Sequence, residues 1–237
     1  MESPLFYTPC INDGLLPEQE AYHAAKVLRA RPGMSIMVTD GKGTLGQAVL
    51  TEVSFKRVCF QPSELLPVSP RPYKVRIAVA PTRKPERNEW MLEKLVEIGV
   101  DEILFIKTVH THLESFGRVV NQERMEKIAI SAMKQSGQFF LPGISIGISL
   151  NELLEQPRDA VGFIAYVPEK ATAPHLAKAS PGVADTLVLI GPEGDFSKEE
   201  VQAALDSGFG MVSLGSTRLR TETAAIAACH AVHLGHL

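Results

Sequence analysis

The sequence predicts an α/β domain with a largely parallel sheet, preceded by a smaller domain of short strands. Two textures carry that prediction. Up to about residue 70 the chain reads as short strands with one helix, and from Lys74 apolar runs alternate with amphipathic helical segments. The third observation is bulk composition: 237 residues, 45% hydrophobic and 22% charged, supply a real core for one large domain or two small ones.

In the first part, Pro17–Glu20 opens a helix on which Ala21, Ala24, Ala25, Val27 and Leu28 lie near helical spacing, and Arg31-Pro32-Gly33 stops it. Ser35–Thr39 and Gly46–Val53 alternate in part and flank the turn string Asp40–Gly43, a hairpin pattern. Val58–Phe60 adds a strand. Gln61–Pro72 holds Pro62, Pro67, Pro70 and Pro72 and reads as a linker, since proline cannot donate to a sheet interior.

In the second part, Val75–Ala80 is a buried-strand run, followed by a polar loop and a helix from about Glu86 to Ile98 that Gly99 ends. Glu102–Ile106 is the next strand. Asn121 caps a helix through Lys134 with Met125, Ile128, Ala129, Ala132 and Met133 as its apolar stripe. Val161–Val167 and Thr186–Gly191 are two further strands. No internal repeat or low-complexity tract is present.

Charge and cysteine content narrow the function classes. Residues 1–72 hold seven basic and seven acidic side chains, and residues 73–237 hold seventeen and twenty, giving the net −3. A protein that held nucleic acid through bulk positive charge would look different, so any such partner needs a local patch. Cys10, Cys59 and Cys229 are too few and too scattered for a disulfide framework or a zinc cluster, which points to a reducing compartment. With no charged-then-apolar leader and no long apolar span, a cytoplasmic protein without membrane attachment is the expectation.

Two loops have the composition of a site. In open α/β sheets ligands bind beyond the carboxyl ends of the strands. The loop after Thr186–Ile190 reads GPEGDFSKEE: Gly191 and Gly194 let backbone amides approach a ligand, and Ser197 with Glu200 forms a capping box. No Gly-Lys-Ser/Thr follows, so it is not a Walker-type phosphate cradle. The loop after Phe209–Gly215 reads STRLRTETAAIAAC, with Arg218, Arg220 and Glu222 between strand and helix, and Thr221 or Thr223 as the helix cap. Either loop alone fits a tight turn or a surface ion pair between Arg220 and Glu222. Two in succession favour a site.

IGPEGDFSKEEV followed by LGSTRLRTETA resembles the signature pair of the RsmE family, the ribosomal RNA small-subunit methyltransferases of the SPOUT superfamily. HAAKVLR at His23–Arg29, DGKG at Asp40–Gly43, EKLVEIGV at Glu93–Val100 and ERMEKIAISAMKQSG at Glu123–Gly137 extend the resemblance over nearly the whole chain. It implies a PUA-like RNA-binding β-barrel domain at residues 1–70 and a SPOUT methyltransferase domain with a trefoil knot at 73–237. It further implies a homodimer that binds S-adenosylmethionine and methylates N3 of a uridine in small-subunit (16S) ribosomal RNA, free or in the assembled subunit. By the same resemblance Ile190, Gly191, Glu193 and Gly194 line the cofactor pocket from the first loop, Leu214, Gly215, Leu219 and Arg220 from the second, and Tyr166 forms a third wall. The chain departs from the usual pattern at Asp195, where glycine is common, at Thr217 and Arg218, where arginine and a hydrophobe are usual, and at Gln138, where arginine is frequent. These departures bear on RNA contacts more than on the cofactor.

The chemistry assigns further roles. A uridine N3–H is a poor nucleophile until its proton leaves, so one group takes the proton and a cation stabilises charge on the carbonyl oxygens. Arg220 is the cation; Glu222 either takes the proton or holds Arg220 while solvent takes it. No metal is required. Lys26, Arg29, Arg31 and Lys42, with Lys84 and Arg87, form the expected RNA-facing patch, whose phosphate contacts weaken with salt. His110 and His112, and His230, His233 and His236, lack a carboxylate or cysteine at ligand spacing and read as surface or half-buried side chains. Trp90 reads as core beside Met91 and Leu95, and Cys229 as packed. The alternative functions are a non-catalytic RNA-binding protein on the same scaffold and a SPOUT enzyme acting on transfer RNA.

Overall fold

The computed structural model describes residues 3–111, 116–166, 172–180, 182 and 184–236. It has two compact units. One is the chain up to Pro70 together with Met133–Leu141; the other runs from Arg71 to Ala132 and from Pro142 onward. The division expected between residues 70 and 73 is therefore joined by a second excursion, residues 133–141. No local pattern announces it, because one continuous helix, Gln122–Gln135, carries the chain across.

In the first unit β1 (Leu5–Tyr7), β2 (Ser35–Thr39), β3 (Thr44–Val53) and β4 (Val58–Pro67) form a sheet in that order, parallel between β1 and β2 and antiparallel elsewhere. Asp40 Oδ1 accepts from the amides of Lys42 (2.8 Å) and Thr44 (3.0 Å), which fixes the β2–β3 turn. Gly46, Ala48 and Leu50 face inward at every second position of β3 and pack with Phe6, Ile36, Val38 and Phe60. The expected linker is mostly strand: β4 runs on to Pro67. Its prolines are tolerated because β4 is an edge strand, and the register shifts between Gln47 and Ala48, the latter opposite Pro62. The single helix is shorter than its pattern. After α1 (Glu18–Tyr22) it widens into a π-helical turn over His23–Val27, and Arg29 follows at φ 49.

The second unit holds β5 (Val75–Val79), β6 (Glu102–Lys107), β7 (Gly143–Ser149), β8 (Val161–Ala165), β9 (Thr186–Ile190) and β10 (Gly210–Val212). All pairs are parallel, in the order β10-β8-β9-β5-β6-β7. Its helices are α2 (Pro85–Ile98), α3 (Phe116–Val119), α4 (Gln122–Gln135), α5 (Leu150–Glu155), α6 (Leu176–Ala179), α7 (Lys198–Asp206) and α8 (Thr221–Leu234). Every residue of β9 is buried, as an inner parallel strand covered on both faces requires. Having laid down β5 to β7, the chain returns to β8 and then inserts β9 between β8 and β5. That insertion brings the loops after β8, β9 and β10 to one edge.

Helix α2 starts at Pro85 and stops at Gly99, which adopts φ 103. Its buried face is Met91, Leu92, Leu95 and Val96. Trp90, expected in the core, falls off that stripe and is 47% exposed. Asn121 caps α4 by accepting from the Arg124 amide at 2.9 Å. Cys229 is fully buried on α8, and burial pushes its thiol up to about 12, so it is packing material, not a nucleophile.

At the far end of α8, the Tyr73 hydroxyl lies 3.0 Å from His233 Nδ1, and the Arg71 guanidinium, paired with Asp101 at 2.9 Å, lies beside the same ring. Burial, then Arg71, pushes the His233 imidazole down to about 4. An unfolded histidine protonates near pH 6.5, so His233 contributes stability that is present above that pH and is lost as pH falls from 6.5 towards 4. Urea midpoints measured across that window should fall less steeply for His233→Gln than for the parent. An unchanged slope contradicts this role.

Candidate functional site

The loop after β9 is held by several independent contacts. The Asp195 amide donates to the Pro192 carbonyl at 3.0 Å, closing a turn in which Gly194 (φ 109) and Asp195 (φ 71) are both left-handed. Aspartate tolerates that region better than most residues, which explains how it stands where glycine is common. Asp195 Oδ1 accepts from the Phe196 amide at 2.8 Å, and the Phe196 ring is buried. Burial raises the Asp195 carboxyl above its ordinary range, against the opposing pull of the Phe196 amide, Arg218 and His110.

The capping box is present: Ser197 Oγ accepts from the Glu200 amide, and Glu200 Oε2 accepts from the Ser197 amide at 2.8 Å. The other oxygen of buried Glu200 accepts from the Val109 amide at 2.8 Å, tying the loop after β6 to α7. Ser197→Ala should cost about 1 kcal/mol in urea unfolding. Glu200→Ala should cost more, because it frees two amides; equal costs contradict the second tie.

The loop after β10 turns at Gly215 (φ 135), whose amide donates to Ser213 Oγ at 3.1 Å. Neither Thr221 nor Thr223 caps α8. Arg220 is the N-cap residue, with no side-chain cap, and its carbonyl accepts from the Ala224 amide. Thr221, one residue further on, donates through Oγ1 to the Gly191 carbonyl at 3.1 Å. That bond stitches the two loops together.

Between them lies a cleft of about 700 Å³. Ile190, Gly191, Glu193 and Gly194 line it from the first loop, and Leu214, Gly215, Leu219 and Arg220 from the second; Tyr166, just past β8, forms another wall. The structure thus gathers all nine residues expected around a cofactor. A Cβ at Gly191 would stand 3.1 Å from both Asp195 Oδ1 and the Phe196 ring, so the close approach there depends on glycine.

Glu222 is placed differently from either reading of it. Thr221 and Ala224 line the cleft, whereas Glu222 does not. Its side chain is 8% exposed, and its Oε1 lies 3.6 Å from Arg87, not beside Arg220. The same Arg87 nitrogen lies 3.5 Å from Glu193. Arg87, expected to face RNA, instead bridges two carboxylates, one from each loop. Arg220 is exposed and, among the described residues, has no carboxylate within 4.0 Å. Glu222 Oε2 is buried without a hydrogen-bond partner among the described residues.

Of the other expected RNA contacts, Lys26, Arg29, Arg31 and Lys42 are exposed in the first unit, and Lys84 is exposed at the N-cap of α2. The sequence reading missed Asn88. Fully buried, it accepts from the Thr82 amide (2.8 Å) and donates to the carbonyls of Thr82 (3.0 Å) and Val119 (3.1 Å), fixing the loop after β5. A polar residue on the helical face shared with Leu92 and Leu95 was its only sequence signal. His110 Nδ1 lies 3.0 Å from the Asp195 carbonyl, and His112 lies outside the described residues. Among the described residues no group of three metal-ligating side chains is assembled.

The RNA methyltransferase domain family matches residues 69–233, and the RNA methyltransferase PUA domain matches residues 16–63. A curated relative from Mycobacterium bovis, ribosomal RNA small subunit methyltransferase E, is 30% identical over 98% of this chain and 92% of its own. The chain belongs to the ribosomal RNA small subunit methyltransferase E family. Solved structures of similar proteins agree along the whole length. A Porphyromonas gingivalis protein described as a probable rRNA-methyltransferase is 44% identical, with a TM-score of 0.88 over 97% of both chains. The family's Neisseria gonorrhoeae member, bound to S-adenosyl methionine, is 28% identical, with a TM-score of 0.83 over 96% of this chain and 95% of that one. Among the described residues no helix is long and apolar enough to cross a membrane.

Proposed function

We propose that the chain transfers a methyl group from S-adenosylmethionine to N3 of a uridine in small-subunit ribosomal RNA. It does so as a cytoplasmic homodimer, with residues 1–70 as a PUA-like RNA-binding domain and residues 73–237 as the methyltransferase domain, its C-terminal chain knotted. The observation that carries the reading is the convergence of two glycine-bearing loops, from β9 and β10, on one cleft of about 700 Å³.

The residues present fit the donor. Ile190, Leu214 and Leu219 offer apolar surface for its adenine, and the glycines leave main-chain groups open to hydrogen bonding. The carboxylates of Glu193 and Asp195 suit its positive charges. Bound there, S-adenosylmethionine supplies a methyl group on a cationic sulfur. The chain's own task is alignment, which is worth about 7–11 kcal/mol of barrier when reacting atoms are held in line. Arg220, exposed at the cleft and unpaired among the described residues, stabilises charge on the uridine carbonyls as the N3 proton is lost. Glu222, turned away from the cleft, fixes Arg87, and the proton leaves to water.

Incubation of the full chain with labelled donor and small ribosomal subunits, followed by mass mapping of the RNA, tests this. One N3-methyluridine per subunit is the expected product. Label confined to another nucleotide, or none in the RNA, contradicts it.

A further inference from the structure

Among the described residues, two concavities lie at the carboxyl edge of the parallel sheet. The cleft lies beyond β8, β9 and β10. On the other side of the β9 loop is a small hollow lined by Thr82 and Arg83 after β5, His110 and Thr111 after β6, and by Pro192 and Glu193. Pro192 and Glu193 line the cleft as well, so the turn at residues 192–195 is a wall shared by both. His110 against the Asp195 carbonyl, at 3.0 Å, braces that wall from the hollow side.

Many arginines of the unit are already engaged. Arg71 is paired with Asp101, Arg124 with Glu89, and Arg76 with Glu102, Asp159 and Asp185. Arg158 donates to the carbonyls of Ala160 and Ser207. Arg83 in the hollow and Arg218 in the cleft are both exposed, and among the described residues neither has a carboxylate within 4.0 Å. An unpaired guanidinium presents a planar fork of donors matched to phosphate oxygens. Of the two carboxylates on the wall, Glu193 is held by Arg87 and Asp195 feels Arg218, so the outward positive charge there is local and rests on Arg83 and Arg218. They line separate concavities, which favours a polyanion with charges spaced along its length over a single small anion.

We propose that Arg83 and Arg218 hold phosphates of the RNA on the two sides of the 192–195 turn, with the target nucleotide in the cleft on the Arg218 side. This rests on the reading of the chain as a ribosomal RNA methyltransferase and names the side chains by which that site grips its polynucleotide. Binding of a fluorescent small-subunit rRNA fragment to the full chain, measured against salt, tests it. Arg83→Ser and Arg218→Leu should each weaken binding and lower the log–log salt slope by about 0.7–0.9, and the double variant by about 1.5. Thr217→Arg in the Arg218→Leu background should restore most of the slope. Calorimetry should find S-adenosylmethionine affinity within about twofold of the parent in Arg83→Ser, whose side chain lines the hollow and not the donor cleft, since phosphate contacts position RNA and not the donor. A double variant with the parental slope overturns the proposal, as does donor affinity falling in step with RNA affinity in Arg83→Ser. Parent protein that binds donor but no RNA overturns it as well, whereas parent protein that binds neither contradicts the functional reading before any variant is made.

Discussion

Replacing Arg220 by alanine is expected to slow methyl transfer on the order of 10²–10³-fold, the loss typical when one donor to a developing oxyanion is removed. The fold should survive. The side chain is exposed, has no ion pair among the described residues, and caps α8 only through its main chain, which alanine keeps. Because Arg220 also lines the donor cleft, the variant needs two readouts: single-turnover rates at saturating donor, and donor affinity by calorimetry. The expected pattern is a rate loss much larger than the affinity loss. Arg220→Lys should recover only part of the rate, since a point charge does not reproduce the planar fork. Full activity in the alanine variant removes Arg220 from the chemistry.

Replacing Arg87 by alanine should have the second large effect, this time on stability. Glu222 is 8% exposed, and Arg87 is the cation beside it, 3.6 Å away. Removing Arg87 strands a buried carboxylate, a cost on the order of 3 kcal/mol where the partner is fully buried and somewhat less here, because Arg87 is 30% exposed. For a chain of this length that corresponds to a fall in Tm of about 4–10 °C. Glu193 also loses its partner, so donor affinity should drop with the melting temperature. Arg87→Met with Glu222→Leu removes both charges and should recover most of the stability. It should not recover the donor affinity, because Glu193 stays untethered. If the single and double variants melt alike, the bridge is not what holds the two loops.

How far the sequence could be read follows from the range of each interaction. The amphipathic stripes of α2 and α4 and the apolar runs of β5, β6 and β9 are local patterns, and the structure contains each element with small shifts at its ends. β7 was not seen, because Gly143, Ser145, Gly147 and Ser149 give a weak edge strand little apolar signal. β4 was cut short because prolines argue against an inner strand, and nothing local says that a strand lies at an edge. The same limit governs the site. Glycines and the capping box are written within two short loops, so a site there was legible; its nine lining residues follow from the family resemblance, and the Arg220–Glu222 contact read from the spacing is not formed. Arg87 meets Glu193 and Glu222 only after β9 inserts beside β5, and Asn88 is buried only after α2 and α3 pack, so neither partner set could be read from spacing.

The measurement that most directly tests the central claim is a calorimetric titration of S-adenosylmethionine into the parent chain and into Gly191→Val. The first carbon of a side chain at that glycine stands 3.1 Å from Asp195 Oδ1 and the Phe196 ring, which must give by a few tenths of an ångström, and the two branches of valine add bulk beside the cleft. The predicted result is one donor bound per parent chain and binding weakened at least tenfold in a variant that remains folded. Donor binding that is absent from the parent, or that is equally tight in the variant, contradicts the placement of the methyl donor between these two loops.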